Sequence, residues 1–191
     1  MSTRIILVRH GRPSLGYTWW SDADGFRRWR AEYDAAGLAV GEMPPPELVS
    51  LAAGGGAVVT SDLPRARASA ELLAPGGEFI VSELLRETDF PTPAWPRARL
   101  PIPLWYMAAS RGWASGKLVS DEPPAMMHRR AASAADLLAN MAADNGTVLA
   151  VTHGSFRRFL CDALIERGWR APERKPLRHW SAWDLESVAG A

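Results

Sequence analysis

A short apolar run that ends abruptly in Arg-His-Gly is the feature that most constrains this chain. Residues 5–8 read Ile-Ile-Leu-Val, and Arg9, His10 and Gly11 follow at once. Four consecutive apolar residues, three of them β-branched, predict a strand that is buried on both faces, and Gly11 then allows a tight turn. In an open α/β sheet, ligands bind at the carboxyl ends of the strands. Arg9 and His10 therefore have two possible roles. Either both contact a ligand, or Arg9 pairs with a carboxylate and His10 caps a loop.

The composition limits the class of protein. A length of 191 residues allows one full core and predicts a single domain over residues 1–191. The net charge of +1, without a cluster of Lys and Arg, argues against nucleic-acid binding, and the apolar runs are too short to cross a membrane. The single cysteine, Cys161, excludes an internal disulfide and a cysteine-based metal cluster. Because Arg9, His10 and Arg12 interrupt the first apolar run, no signal peptide is expected. We expect a cytoplasmic protein without a metal ion or other cofactor.

Predicted strands and helices alternate along the chain. Apolar runs predict further strands, at residues 57–60, 79–81 and 147–152, and a last, edge strand within residues 179–185. Amphipathic segments predict helices, at about residues 22–36, 47–53, 63–75, 125–144 and 156–167. Ser61 or Asp62 and, later, Ser155 are the expected helix caps. This order predicts an α/β fold with three layers, α/β/α, around a mostly parallel central sheet.

Residues 88–125 interrupt this alternation. The segment is rich in proline, contains Trp95, Trp105 and Trp113 among the nine tryptophans of the chain, and has room for one short helix at about residues 102–111. It carries too many aromatic residues for a disordered linker, so we interpret it as an ordered, inserted flap. Its tryptophans fit either the wall of a substrate pocket or the surface of a homodimer.

Polar residues follow three of the buried strands at the points where they end. Arg9 and His10 follow the first strand, Ser61 and Asp62 follow the second, with Arg65 one turn later, and His153 follows the strand at 147–152. Because parallel strands place their carboxyl ends at one edge of a sheet, we expect these groups to converge.

The converging residue types fit phosphoryl chemistry. Arginine forks bind phosphate oxygens in a bidentate manner, and the helix N-termini after the strands add partial positive charge. A neutral imidazole can attack phosphorus, and a carboxylic acid can protonate the leaving oxygen. Glu87, a few residues after the third predicted strand, is the first candidate for that acid.

Three motifs give the chain its resemblance to a known family. They are Val8-Arg9-His10-Gly11, the hexapeptide Ser-Asp-Leu-Pro-Arg-Ala at residues 61–66, and Val151-Thr152-His153-Gly154. Their order and intervals resemble those of the histidine phosphatase superfamily, also called phosphoglycerate mutase-like. The resemblance covers the chain outside residues 88–125 and implies the phosphoglycerate mutase-like fold with 88–125 as an insertion.

The resemblance also implies roles for the residues that match. His10 is the nucleophile that becomes phosphorylated, and Arg9, Arg65 and His153 surround the transferred phosphoryl group. Glu87 occupies the place of the proton donor, although Thr-Asp-Phe follows it where the family usually has glycine or Trp-Glu-Gly. Glu83 and Asp89 therefore stay open as alternative donors.

The chain departs from the family pattern after Gly11. Many members carry Glu-Thr and a nearby asparagine that contacts phosphate, whereas this chain has Arg12-Pro13-Ser14. Ser14 and three aromatic residues that follow it are candidates for a substrate pocket; these are Tyr17, Trp19 and Trp20. The aromatic residues fit the hydrophobic core equally well. We interpret His179 as structural and Arg158, which matches a common family arginine, as a member of a structural ion pair.

The function implied is that of a metal-independent phosphoric monoester hydrolase, a histidine acid phosphatase-like phosphatase that acts on a small phosphorylated substrate. Two alternatives remain. One is a phosphotransferase of the phosphoglycerate mutase type, although such mutases are usually longer. The other is a non-catalytic phosphoryl-binding protein that has lost its proton donor.

Overall fold

The computed structural model describes residues 3–16, 20–95 and 97–187. Its strands are β1 Arg4–Arg9, β2 Ala57–Thr60, β3 Ile80–Val81, β4 Thr147–Thr152, β5 Trp169–Arg170 and β6 Ala182–Ser187. Its helices are α1 Ala23–Ala35, α2 Pro46–Ala53, α3 Pro64–Leu73, α4 Ile102–Ala114, α5 Pro124–Asn145 and α6 Phe156–Ile165. Both lists are limited to the described residues. No helix among them is long and apolar enough to cross a membrane.

The strands form one sheet in the order β3-β2-β4-β1-β6-β5. The first four of these strands run parallel, while β6 is antiparallel to β1 and β5 is antiparallel to β6. The predicted mostly parallel sheet is confirmed. Because β2, β4 and β1 are neighbours, the three predicted polar turns start side by side at one edge; Arg9, for example, pairs with Thr152.

Strand β1 is buried on both faces, as its sequence predicts. Ile5 and Leu7 pack into the larger core cluster, which includes apolar residues of α1, α4, α5 and α6. Ile6 and Val8 pack on the opposite face with Ala66, Ala70 and Leu73 of α3 and Leu48 of α2. Helices therefore cover both faces of the sheet, which confirms the three-layer α/β/α arrangement.

Two details of the secondary structure differ from the prediction. The last strand, β6, is not an edge strand, because the two-residue strand β5 pairs with its outer side; β5 is too short to leave a pattern in the sequence. Helix α3 has no side-chain cap. Asp62 instead pairs with Arg86, and the Ser61 hydroxyl lies 2.9 Å from the ring of His153.

The inserted segment at 88–125 is ordered and contains α4. Trp105 and Trp113 of this helix are buried in the larger core cluster, whereas Trp95 is 48% exposed. The indole nitrogen of Trp105 donates to the carbonyl of Ser21 at 2.8 Å, next to the N-terminus of α1. The segment therefore packs against α1 and forms a wall on the side of the sheet that α1 covers.

Candidate active site

His10 lies at the carboxyl end of β1 and is 1% exposed. Its Nδ1 is 2.7 Å from the carbonyl oxygen of Gly11. Since a carbonyl oxygen only accepts, Nδ1 carries the hydrogen and Nε2 keeps its lone pair. Burial, and then the charge of Arg65, hold the pKa of His10 well below its usual range. The imidazole is therefore neutral and has the tautomer that a nucleophile needs.

Arg65 lies beside the lone pair of His10. Its Nε is 3.4 Å from His10 Nε2, and its side chain is fully buried. The rest of the guanidinium is fixed by the C-terminal turn of α1, because it donates to the carbonyl of Tyr33 at 2.8 Å and to Asp34 at 3.1 Å. Arg65 therefore forms a rigid positive wall next to the reactive nitrogen.

His153 completes this group from the end of β4. Its ring centroid lies 5.0 Å from that of His10, and its Nε2 is 2.9 Å from the hydroxyl of Ser61. Burial, with the neighbouring His10 and Arg65, holds the pKa of His153 well below its usual range. The structure thus brings together the ends of β1, β2 and β4 as their parallel arrangement predicts.

Unpaired polar atoms concentrate around His10. Among the described residues, four buried side-chain nitrogen or oxygen atoms have no hydrogen-bond partner, and three of them are Arg9 Nε, His153 Nδ1 and His179 Nε2. A buried polar atom without a partner costs about 1–3 kcal/mol, and such atoms in native structures call for an explanation. A group with several acceptor oxygens, such as a phosphoryl group, can satisfy several of these nitrogens at once.

His179 also belongs to the candidate active site, although we expected it to have a structural role. Its ring centroid is 5.4 Å from that of His10, because the backbone N–H of Trp180 donates to the carbonyl of Arg9 at 3.1 Å. Strand β6 is antiparallel to β1, so the residues before β6 must meet the end of β1. Knowledge that β6 pairs with β1 in the antiparallel direction would have placed His179 near His10. The sequence alone does not show this pairing.

A buried arginine holds the segment that carries His179. Arg157 donates to the carbonyls of Ser181, at 2.6 Å, and Pro176, at 2.9 Å. Its guanidinium also lies 4.0 Å from the ring centroid of Trp183. Burial lowers the pKa of Arg157 to about 9, so it remains charged at neutral pH. Arg157 thereby fixes both flanks of His179.

As the pH falls, protonation of His179 is expected to contribute to a lower free energy of unfolding. Burial, and then Arg9, lower its pKa to about 4 from about 6.5 in an unfolded chain. The unfolded state therefore binds the proton more tightly, and the contribution of His179 is complete above pH 6.5 and is lost as the pH falls towards 4. Urea unfolding at pH 7 and pH 5 should show a smaller pH dependence for His179→Asn than for the wild type.

The size of this effect is limited because His179 is partly exposed. One titrating group contributes at most about 1.4 kcal/mol per pH unit, and solvent screening reduces that value. His128→Asn, at an exposed position on α5, is the matched control for the replacement of a histidine by asparagine. Equal pH dependence in the wild type and His179→Asn would contradict the expectation.

Position 11 requires glycine because a larger side chain would clash with a neighbouring ring, and not because the backbone there adopts a conformation that only glycine favours. A Cβ atom at this position would lie 2.6 Å from the ring of Trp180, and the φ angle of Gly11 is not in the positive region. The indole nitrogen of Trp180 is itself fixed by a 2.8 Å hydrogen bond to Glu42. The prediction of a turn glycine is therefore corrected: Gly11 permits Trp180 to pack against the loop that follows His10.

Gly11→Ala is expected to lower the free energy of unfolding by about 1–3 kcal/mol, the usual cost of overpacking. The Trp180 ring or the loop after His10 must shift to admit the methyl group. Urea unfolding followed by tryptophan fluorescence measures the change. Gly37→Ala is the matched control, since nothing lies within 4 Å of its added Cβ; equal effects of the two substitutions would contradict the prediction.

Glu87 lies at the N-terminus of α6. Its Oε1 accepts from the backbone N–H of Phe156 at 2.9 Å, and its Oε2 from that of Ser155 at 3.3 Å. The expected cap, Ser155, makes no side-chain cap bond; the carboxylate of Glu87 takes this place and complements the helix dipole. The same carboxylate lines both cavities that adjoin the site, one with Arg9 and the other with Arg65.

The two alternative carboxylates lie in less favourable places. Asp89 lines the cavity that contains Arg65, but its carboxylate is 74% exposed and pairs with Arg30. Glu83 is exposed and lines neither the cavity that contains Arg9 nor the one that contains Arg65. It shares with Glu87 only a third cavity of about 400 Å³, which contains neither of these two arginines. In the described part of the chain, no group of three or more His, Cys, Asp or Glu residues is arranged to hold a metal ion.

The larger cavity has a volume of about 590 Å³ and the smaller one about 260 Å³. Ser14 and Trp20, expected in a substrate pocket, line neither. The loop of Ser14 is instead held by a 2.9 Å hydrogen bond to the carbonyl of Gly37, and Trp20 is 63% exposed. The other two candidates, Tyr17 and Trp19, lie outside the described residues.

Comparison with known proteins identifies the family. A family model described as "Histidine phosphatase superfamily (branch 1)" matches residues 5–187. The chain belongs to this superfamily, and the resemblance drawn from the three motifs is confirmed. No curated protein matches the chain closely enough to count as a relative by sequence.

Solved structures agree with this assignment at the level of the fold. The product of an open reading frame of Mycobacterium tuberculosis is 21% identical, with a TM-score of 0.59 over 95% of this chain and 90% of that one. A mycobacterial glucosyl-3-phosphoglycerate phosphatase in complex with VO3 is 19% identical, with a TM-score of 0.53 over 95% and 92%. The ecdysone phosphate phosphatase of Bombix mori, in complex with tungstate, is 14% identical, with a TM-score of 0.54 over 96% and 91%.

Proposed function

We propose that this member of the histidine phosphatase superfamily hydrolyses phosphate monoesters through a phosphohistidine intermediate on His10. One observation carries the proposal. The lone pair of a neutral, buried His10 lies 3.4 Å from Arg65. The rings of His153 and His179 lie 5.0 and 5.4 Å from that of His10, and each of them, like the adjacent Arg9, has a buried nitrogen without a hydrogen-bond partner. A nucleophile in contact with cationic and unpaired polar groups matches the needs of phosphoryl transfer.

The first step transfers the phosphoryl group to the enzyme. The Nε2 lone pair of His10 forms a bond to phosphorus while the bond from phosphorus to the ester oxygen breaks. Arg9 and Arg65 offset the charge on the phosphoryl oxygens, which His153 and His179 also contact. A proton moves from the carboxyl group of Glu87 to the leaving oxygen, so the alcohol departs uncharged and Glu87 is left as a carboxylate.

The second step returns the enzyme to its starting state. Glu87, now a carboxylate, takes a proton from water, and the water oxygen forms a bond to phosphorus as the bond to His10 Nε2 breaks. Inorganic phosphate leaves, and Glu87 is again protonated. The carbonyl of Gly11, which accepts from His10 Nδ1, stabilises the positive charge on the imidazole between the two steps. Neither step needs a metal ion.

The position of Glu87 favours an enzyme over a phosphoryl-binding protein. Its carboxylate lines a cavity together with Arg9 and a second one together with Arg65, so a carboxyl group is still available beside the proposed phosphoryl site. The fold also supports a phosphatase, because two of the structures compared above carry phosphatase names.

Hydrolysis of 4-nitrophenyl phosphate by the purified chain tests the proposal. We expect turnover in the presence of a metal chelator and inhibition by orthovanadate, which resembles the transferred group. Tight vanadate binding without hydrolysis of any ester in a broad panel would instead indicate the non-catalytic phosphoryl-binding protein. Turnover that depends on a bisphosphorylated primer would indicate a phosphotransferase of the phosphoglycerate mutase type.

A further inference from the structure

The larger cavity extends well beyond the space that a phosphoryl group needs. It begins at Arg9 and Glu87 and has a volume of about 590 Å³, which lies in the range of pockets that enclose drug-sized ligands. Glu87, the proposed proton donor, lines this cavity and the smaller one, and of the two only the larger has room for a sizeable alcohol portion of a substrate bound at His10. The lining of the cavity therefore bears on which alcohol fits.

Aromatic side chains form much of the cavity wall, and they come from α1, the inserted segment and α6. They are Trp29, Tyr33, Phe90, Tyr106, Trp113 and Phe159. Edge-to-face contacts hold several of them in place. Phe90 contacts Tyr106 and Trp113 at centroid distances of 5.4 and 5.2 Å, and Trp113 contacts Phe159 at 5.8 Å. The wall is thus preformed and suits a flat apolar group.

Two arginines add positive charge to the same cavity. Arg111 in the last turn of α4 and Arg158 of α6 both line it, and both are exposed. Neither side chain makes a hydrogen bond or ion pair with another residue of the described part of the chain. The structural ion pair expected for Arg158 is therefore wrong, since Arg158 forms no ion pair with any carboxylate of the described residues.

The charge in this cavity is unbalanced. Glu87 is its only acidic lining residue among those described, and its carboxylate already accepts three backbone N–H groups, those of Thr88, Ser155 and Phe156. Arg111 and Arg158 thus have no ion-pair partner among residues 3–16, 20–95 and 97–187. A guanidinium group is well suited to bind a carboxylate through two parallel hydrogen bonds.

We propose that the substrate is a phosphate monoester of an aromatic or polycyclic alcohol that also carries a carboxylate. This inference rests on the proposed function. The phosphoryl group lies at His10, the ring system lies against the aromatic wall, and the carboxylate pairs with Arg111 and Arg158. A small alkyl phosphate reaches neither the wall nor these two arginines, so it gains nothing from them.

Three esters with the same leaving oxygen test the proposal: ethyl phosphate, 2-(2-naphthyl)ethyl phosphate and the 6-carboxy derivative of the latter. Because each releases a primary alkoxide, differences in kcat/KM report binding in the cavity rather than leaving-group chemistry. With the wild type we expect kcat/KM to rise by about tenfold or more at each addition, which corresponds to about 1.4 kcal/mol per step.

Substitutions in the cavity test which residues cause each increase in kcat/KM. The double variant Arg111→Gln/Arg158→Gln should lose most of the gain from the carboxylate, and Phe159→Leu should lose part of the gain from the naphthyl ring. Arg129→Gln is the matched control, since Arg129 is exposed on α5 and lines neither cavity; it should behave as the wild type. A gain from the carboxylate that survives the double variant would overturn the role of the two arginines.

The outcomes separate this inference from the proposed function. Equal kcat/KM for the three esters, with hydrolysis that depends on His10, would overturn the substrate class and leave the phosphatase in place. If no ester is hydrolysed, calorimetric binding of the three matching phosphonates to the wild type still decides the question. The same order of affinities supports the inference, and equal affinities overturn it.

Discussion

Replacing His10 with alanine is expected to abolish turnover, with kcat for 4-nitrophenyl phosphate falling by about 10⁴-fold or more. Without Nε2 no phosphohistidine can form, and the surrounding cationic and polar groups can only position water. The substitution removes a ring that contacts Arg65 and His153, so folding must be checked by circular dichroism. Steady-state kinetics measures the loss.

The covalent intermediate provides a second readout for His10. When the wild type is quenched during turnover, intact-protein mass spectrometry should detect one added phosphoryl group, stable to base and labile to acid as expected for a phosphohistidine. His10→Ala should show none. His128→Ala, at an exposed position on α5, serves as the control and should match the wild type in both assays. A phosphorylated His10→Ala protein, or one with substantial activity, would contradict the assignment.

The fold could be predicted because its information is local. The apolar run before Arg9 and the matching runs at 57–60 and 147–152 form β1, β2 and β4, and the last two have the predicted bounds. The buried side of α5 includes Met127, Leu138 and other residues at helical spacing. Such patterns fail for β5, because two residues carry no periodicity, and the outer neighbour of β6 was therefore missed.

The candidate site was only partly predictable, because some of its contacts depend on pairing between distant segments. His10, Arg65 and His153 follow from the ends of three parallel strands. His179 does not, since it reaches His10 only through the antiparallel pairing of β6 with β1. The contact between Gly11 and Trp180 has the same origin. In each case the sequence shows the residue but not the partner that gives it a role.

Glu87 serves both the fold, as the cap of α6, and the proposed chemistry, as the proton donor. Glu87 joins the loop after β3 to the first turn of α6 through backbone N–H groups of Ser155 and Phe156. That turn directly follows His153, so the carboxylate is held beside the end of β4. A lost cap and a lost proton donor must therefore be separated in any experiment on Glu87.

Glu87→Gln is expected to lower kcat for esters of poor leaving groups, such as 2-(2-naphthyl)ethyl phosphate, by about 10²–10⁴-fold, the range typical of a lost general acid. For 4-nitrophenyl phosphate the decrease should be much smaller, because 4-nitrophenolate leaves without a proton. The amide oxygen of glutamine can still accept from α6, although the charge is lost, so the free energy of unfolding should fall by only about 0.5–2 kcal/mol. Kinetics with both esters and urea unfolding measure the two effects.

The contrast between the two esters distinguishes chemistry from structure. If Glu87 only capped α6, the substitution would move the phosphoryl site as a whole and would slow both esters by the same factor. A proton donor instead makes the loss grow with the basicity of the leaving oxygen. Glu83→Gln and Asp89→Asn are the matched controls, since these were the alternative donors, and neither should show this dependence. A leaving-group effect in either of them, and none in Glu87→Gln, would transfer the role of proton donor to that residue.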